Sequence, residues 1–211
     1  MDGTLVDSEK VWDVALTELA TGAGGRLSPA ARRAIVGSDM ATTMRILHAD
    51  IGRPDRDPDA DAAWLERRVL ELFAGGLVWR PGAAELLAAV RAAGLRTALV
   101  TSTARKLVEV ALQTLGRDNF DVVVCGDEVT VPKPDPAPYR TAAALLKVPI
   151  EQCVAIEDSP TGVASARASG AAVLAVPCEL ELPPMSGIRL RDSLVGVDAA
   201  YLADLITPAQ A

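Results

Sequence analysis

No apolar run in the 211 residues approaches the roughly 20 that a membrane helix needs. The first residues hold neither a basic region nor a long apolar stretch of the kind an export signal uses, so a cytoplasmic location is expected. An excess of cationic side chains is absent too. Twenty-one Lys and Arg stand against 28 Asp and Glu, a formal net charge of −7, which repels nucleic acid and anionic membrane surfaces and argues against both as partners. Histidine is reduced to His48, which lies on an expected helix and reads as structural. The three cysteines, Cys125, Cys153 and Cys178, are odd in number, and two sit in or beside apolar runs. Reduced core thiols are expected rather than a disulfide or a metal site. There is no internal repeat and no low-complexity tract.

What is present is apolar material in two different arrangements. Half of the residues are hydrophobic, enough for a full core in one domain or a domain with a modest insert. From Ser8 the apolar positions recur with helical spacing. Val11, Trp12, Ala15, Leu16 and Leu19 share one face behind Ser8 as a cap, and Gly22, Gly24 and Gly25 end the run. Ser28 with Pro29 opens a second helix, Gly37 stops it, and Met44, Ile46, Leu47 and Ile51 continue the pattern to Gly52. After a charged, proline-punctuated stretch, Trp64, Leu65, Val69, Leu70, Leu72 and Phe73 form another amphipathic helix closed by Gly75 and Gly76. Residues 8–76 therefore read as one helical subdomain.

At Pro81 the pattern changes. Helices are expected over 81–93, 104–115, 139–146 and 160–168, with a weaker one near 199–205. Between them fall short apolar strands over 95–100, 122–124, 154–156 and 172–176. Strands alternating with helices predict an α/β fold, a Rossmann-like parallel sheet with helices on both faces.

Four short signals fall at strand ends, where open parallel sheets place their ligand sites. They are Asp2-Gly3-Thr4, then Thr101 with Ser102 after Ala98-Leu99-Val100, then Lys133 in Val131-Pro132-Lys133-Pro134-Asp135, then Glu157-Asp158-Ser159 after Val154-Ala155-Ile156. Each has a plain structural reading. Asp-Gly is a common turn dipeptide, Thr101 is a strand-end hydroxyl, Lys133 stands in a loop, and Glu157-Asp158 precedes a helix whose dipole they would complement. Asp7 fits a loop brace better than a reacting group.

Taken together and in this order, with a helical insert after the first, the four signals closely resemble the motifs of the haloacid dehalogenase superfamily, in its branch with a small α-helical cap. The resemblance covers nearly the whole chain. It implies a core domain of residues 1–7 and 77–211, a cap domain of residues 8–76, and a magnesium-dependent phosphomonoester hydrolase acting on a small phosphorylated metabolite, a sugar phosphate first among them, as monomer or weak homodimer. By the same resemblance Asp2 is the general acid/base, Thr101 and Lys133 are catalytic groups on the phosphoryl oxygens, and Gly3, Ser102 and Trp12 bind substrate. Mg2+ is held by Asp2, through its carbonyl, with Glu157 and Asp158. With a net negative chain, local cations such as Lys133 must hold a phosphate.

The family's first motif reads Asp-x-Asp-Gly-Thr. Here Met1 fills the x, so the first aspartate, the family's covalent nucleophile that forms an aspartyl phosphate, falls just before Met1. The strand that carries it is the central one, flanked by the strands at Leu95 and Val154. The expectation is a natural polypeptide that begins upstream of Met1, and no turnover from the chain as it stands. Two rivals remain. In β-phosphoglucomutase a cap histidine aligns with Trp12 and a phosphate-gripping arginine aligns with Met40, with Arg45 out of register, which favours hydrolysis over isomerisation. The other rival is a non-catalytic metabolite-binding or decayed protein.

Overall fold

The change of apolar spacing near Pro81 is reproduced in three dimensions. The computed structural model describes residues 1–36, 38, 40–182 and 185–206. The chain divides into two compact units, one of Met1–Asp7 with the chain from Leu77 onward, the other of Ser8–Gly76. Gly37, expected to stop a helix, lies outside the described residues.

The second unit is helical. It contains α1 (Glu9–Gly22), α2 (Pro29–Ile35), α3 (Met40–Asp50) and α4 (Pro58–Ala74). Its core is the apolar face that the spacing predicts, with Leu16 and Leu19 of α1 buried and Leu65, Val69 and Phe73 of α4 buried. Local chemistry fixes the helix starts. Ser28 Oγ accepts from Ala31 N at 3.1 Å with Pro29 in the first turn, while Ser28 N and Oγ each donate to Asp50 at 2.7 Å. Asp57 accepts from Asp59 N and Ala60 N ahead of α4. Ser8 precedes α1, but its side chain makes no capping bond, because its backbone is already helical at φ −82° and ψ −16°. Inside the unit His48 and Asp61 are both buried, joined Nε2 to Oδ2 at 2.8 Å, and Arg56 donates twice to the same carboxylate at 2.6 Å.

The first unit is α/β. It runs α5 (Ala83–Ala92), β1 (Ala98–Val100), α6 (Arg105–Leu115), β2 (Val122–Val124), α7 (Ala137–Leu146), β3 (Val154–Glu157), α8 (Pro160–Ser169), β4 (Ala172–Ala175), β5 (Ile188–Leu190) and α9 (Ala199–Ile206). All strand pairs are parallel: β1 with β2, Val100 opposite Val124; β3 with β4, Glu157 opposite Ala175; β4 with β5, Val173 opposite Ile188. The first strand is shorter than its apolar run. Leu95 N bonds back to Val90 O after Gly94 at φ +72°, so the chain is still leaving α5 there. β5 has no counterpart in the sequence reading, since Arg189 and Leu190 are exposed and leave no apolar run to see. Among the described residues β1 and β3 are not paired with each other, and both line one cavity of about 590 Å³ whose walls include Leu86, Leu87 and Val90 of α5 and Leu146 of α7.

The three cysteines are free, Cys125 buried and the other two half-buried. Burial pushes the Cys125 and Cys178 thiols up to about 11. No helix among the described residues is long and apolar enough to cross a membrane.

Candidate active site

The first seven residues form a tight loop closed on itself. Met1 O accepts from Leu5 N at 2.8 Å and from Val6 N at 3.3 Å, and Gly3 N donates to Val6 O at 2.9 Å. The loop is pinned to the chain that re-enters this unit: Asp7 N donates to Val78 O at 2.9 Å and Arg80 N to Leu5 O at 2.8 Å. Gly3 is required twice over. Its φ is +64°, a region that suits glycine, and a Cβ there would stand 2.2 Å from Asp158 Oδ2. The loop backbone thus lies directly on the carboxylate at the end of β3, and Thr4 Oγ1 secures the other oxygen by donating to Asp158 Oδ1 at 2.7 Å. Burial pushes the Asp158 carboxyl above its ordinary value, and the Thr4 bond opposes that only in part.

Asp2 meets the segment after β1. Thr103 Oγ1 donates to Asp2 Oδ2 at 2.7 Å, and Thr101 Oγ1 stands 3.5 Å from the same oxygen while accepting from Thr103 N at 3.1 Å. Thr101 is buried and Ser102 between the two threonines is exposed. The chain bends after β1, and the turn closed by the Thr103 N to Thr101 Oγ1 bond brings both hydroxyls to Asp2.

Lys133, on the proline-rich loop before α7, is drawn inward to the ends of β1 and β3. Its Nζ donates to Glu157 Oε1 at 2.6 Å and to Val100 O at 3.2 Å, and lies 3.4 Å from Tyr139 Oη. The Tyr139 hydroxyl also donates to Glu157 Oε1. Only 8% of the Lys133 side chain and 6% of the Glu157 side chain are exposed, so this is a buried ion pair with a further donor on the carboxylate. Burial alone would raise the Glu157 carboxyl, but the Lys133 ammonium, the Tyr139 hydroxyl and the chain's terminal ammonium together hold the group below its ordinary value. Gly162, in the first turn of α8, leaves room for that carboxylate, since a Cβ would lie 1.9 Å from Glu157 Oε2.

The structure therefore brings Asp2, Gly3, Thr101, Lys133, Glu157 and Asp158 of the sequence reading into one region of the α/β unit, joined by bonds between neighbours at the strand ends. Trp12 belongs to the helical unit, half-buried in the first turn of α1. Glu157 and Asp158 face different partners: Glu157 faces Lys133 and Tyr139, and Asp158 faces Thr4 and Gly3. Thr103, Thr4, Tyr139 and Gly162 were not singled out from the sequence as site residues. A threonine two positions after Thr101 carried a usable signal, whereas Tyr139 at an apolar helix position looks like ordinary core.

A chain with strand-end groups of this kind on a parallel sheet defines a class that comparison with known proteins bears out. The family model of haloacid dehalogenase-like hydrolases matches residues 1–170, and the chain belongs to that family. Among individual relatives, hexitol phosphatase A of Escherichia coli (strain K12) is 31% identical over 191 residues, 90% of this chain and 86% of that protein. Protein CbbY of Rhodobacter capsulatus is 41% identical over 118 residues, 54% of this chain, and the match spans about half of that protein's length, 52%. Among solved structures, CbbY from Rhodobacter sphaeroides in complex with phosphate superposes with a TM-score of 0.79 at 28% identity, covering 96% of each chain.

Proposed function

We propose that the protein is a magnesium-dependent phosphomonoesterase acting on a small phosphorylated metabolite, with a sugar phosphate as the first candidate. The observation that carries this reading is the convergence of Asp2, Thr101, Lys133 and Asp158 at the ends of β1 and β3, a set that folding alone does not demand. The name of the hexitol phosphatase aligned over 90% of the chain supports the substrate class.

In phosphoryl transfer the moving group spreads negative charge over its oxygens, and the protein's work is positioning and positive potential. Lys133 supplies that potential with a buried ammonium beside the end of β1. By the family resemblance the phosphoryl group passes from the alcohol to an aspartate carboxylate; Asp2, held by Thr103, gives a proton to the leaving alcohol and then takes one from the water that hydrolyses the aspartyl phosphate. The donor set is one of hard oxygens, which suits Mg2+. The Asp158 carboxylate, against which the opening loop packs at Gly3, is the side chain that would hold such an ion, and by the family resemblance the Asp2 carbonyl would join it. Among the described residues no three His, Cys, Asp or Glu side chains are grouped as a metal site, and a set of one carboxylate with a carbonyl is consistent with an ion that keeps several waters. When bound, Mg2+ offsets charge on the phosphoryl oxygens. Glu157, occupied by Lys133 and Tyr139, serves to hold Lys133.

The test is phosphate release from a panel of sugar phosphates and an aryl phosphate, with Mg2+ and with a chelator, using protein isolated from its native source. Chelator-sensitive release from at least one ester supports the reading. Absence of release from every ester, with the sugar phosphates also failing to bind, overturns it.

A further inference from the structure

An ammonium group has three N–H donors, and Lys133 Nζ has three acceptors in reach, each on a different element: Val100 O at the end of β1, Glu157 Oε1 at the end of β3, and Tyr139 Oη on α7. Tyr139 is the member of this set that no motif contains. Its hydroxyl is bonded on both sides, donating to the carboxylate oxygen that Lys133 uses and lying 3.4 Å from Lys133 Nζ as an acceptor. Its ring also lies beneath the ammonium, 4.9 Å from Nζ to the centroid, where the face of an aromatic ring attracts a cation.

Two torsional freedoms need restraint here. A glutamate carboxylate turns easily about its last bond, and a lysine stem has four carbons of its own. The carboxylate lies directly against α8 at Gly162, where the lack of a side chain lets it fit, and its oxygens are held by hydrogen bonds to Lys133 and Tyr139.

We propose that Tyr139 is a positioning residue: its hydroxyl locks the Glu157 carboxylate, and through that carboxylate holds the Lys133 ammonium at the end of β1 beside Thr101. The use of Lys133 on a phosphoryl group rests on the proposed function. The positioning itself does not, and it is measured separately.

The sequence makes that measurement clean. There are four lysines, Lys10, Lys106, Lys133 and Lys147, and all but Lys133 are exposed. In nitrogen-15 NMR of the lysine ammonium groups, one slowly exchanging signal is expected, from Lys133, and it disappears in Lys133→Arg. Tyr139→Phe keeps the ring and removes the hydroxyl. Exchange of the Lys133 signal is expected to quicken by about tenfold or more, as for loss of a bond to a charged pair. Tyr139→Leu, which also removes the ring, quickens it further. An unchanged signal in Tyr139→Phe reduces Tyr139 to core packing and overturns the proposal, and so does a native protein with no protected ammonium. Turnover is assayed in parallel. If Tyr139→Phe frees the ammonium but native protein neither turns over nor binds any phosphate ester, the positioning stands and the phosphatase reading fails.

Discussion

Thr103 Oγ1 donates to Asp2 Oδ2 at 2.7 Å across 101 positions of sequence, tying the opening loop to the segment that leaves β1. The bond orients a carboxylate whose use depends on where its protons go. Asp2→Asn is expected to lower turnover of a phosphate ester by about 10²- to 10⁴-fold, the usual share of a positioned acid/base. Thr103→Val keeps the shape and removes the donor. It should lower kcat with KM little changed, and steady-state kinetics of the two variants separate the roles. A Thr103→Val enzyme as fast as native would mean that Asp2 is oriented by other groups.

Asp158 gives a prediction about metal. Asp158→Asn removes the charge that a magnesium ion would meet, and Thr4→Val removes the hydroxyl that orients the carboxylate. Partners behind a metal ligand commonly contribute about 10- to 100-fold in metal affinity or activity. Titrating turnover with Mg2+ should therefore show a higher half-saturating concentration for Thr4→Val and a larger rise for Asp158→Asn. Identical Mg2+ curves for all three proteins would remove Asp158 from the metal site.

Gly162 lies within α8, where an alanine would ordinarily gain about 1 kcal/mol over glycine. Here the added Cβ would meet the Glu157 carboxylate at 1.9 Å. Gly162→Ala should instead cost about 1–3 kcal/mol, as overpacking does, read as a lower denaturant midpoint. A stabilised Gly162→Ala protein would mean that Glu157 does not occupy the place described.

The helical unit carries a pH dependence of its own. Two Arg56 bonds hold the Asp61 carboxyl below its ordinary value, against its burial, with His48 adding to the same effect. A carboxylate with a depressed folded value stabilises fully above its unfolded value and loses that contribution as pH falls through the folded one. Stability should therefore decline below about pH 4, near the ordinary aspartate value. Denaturant midpoints over this range should fall in native protein and fall less steeply in Asp61→Asn, which has no charge there to lose. Parallel declines in the two proteins would assign the acid sensitivity to other carboxylates.

Much of this arrangement was legible in the residues. Buried parallel strands advertise themselves as apolar triplets such as Val122-Val123-Val124, and two of them, Ala98-Leu99-Val100 and Val154-Ala155-Ile156, ended where a polar signal began. β5 was not legible, because an exposed edge strand needs no such triplet. The pairing of Glu157 with Lys133 was hidden for a different reason. Adjacent carboxylates at a strand end look alike in sequence, yet an extended chain turns successive side chains to opposite faces, and that alternation sent one to the lysine and the other to the opening loop. The buried pair of His48 and Asp61, with half-buried Arg56 of the connecting loop bound to it, depends on how α3 and α4 pack, which helical spacing does not encode. Tyr139 escaped notice because an aromatic at an apolar helix position is filled by packing in most proteins, and only the neighbour of its hydroxyl distinguishes this one.

Cys178 has its Cβ about 3.2 Å from where a Gly3 side chain would begin, beside the loop that carries Asp2. With a thiol pushed up to about 11, only about one molecule in ten thousand carries the reactive thiolate at pH 7. The Cys178 thiol is therefore expected to react slowly with peroxide and alkylating agents. Burial at this position should thus shield the opening loop's neighbour from oxidation, whereas a more exposed sulfur at the same place would be open to it.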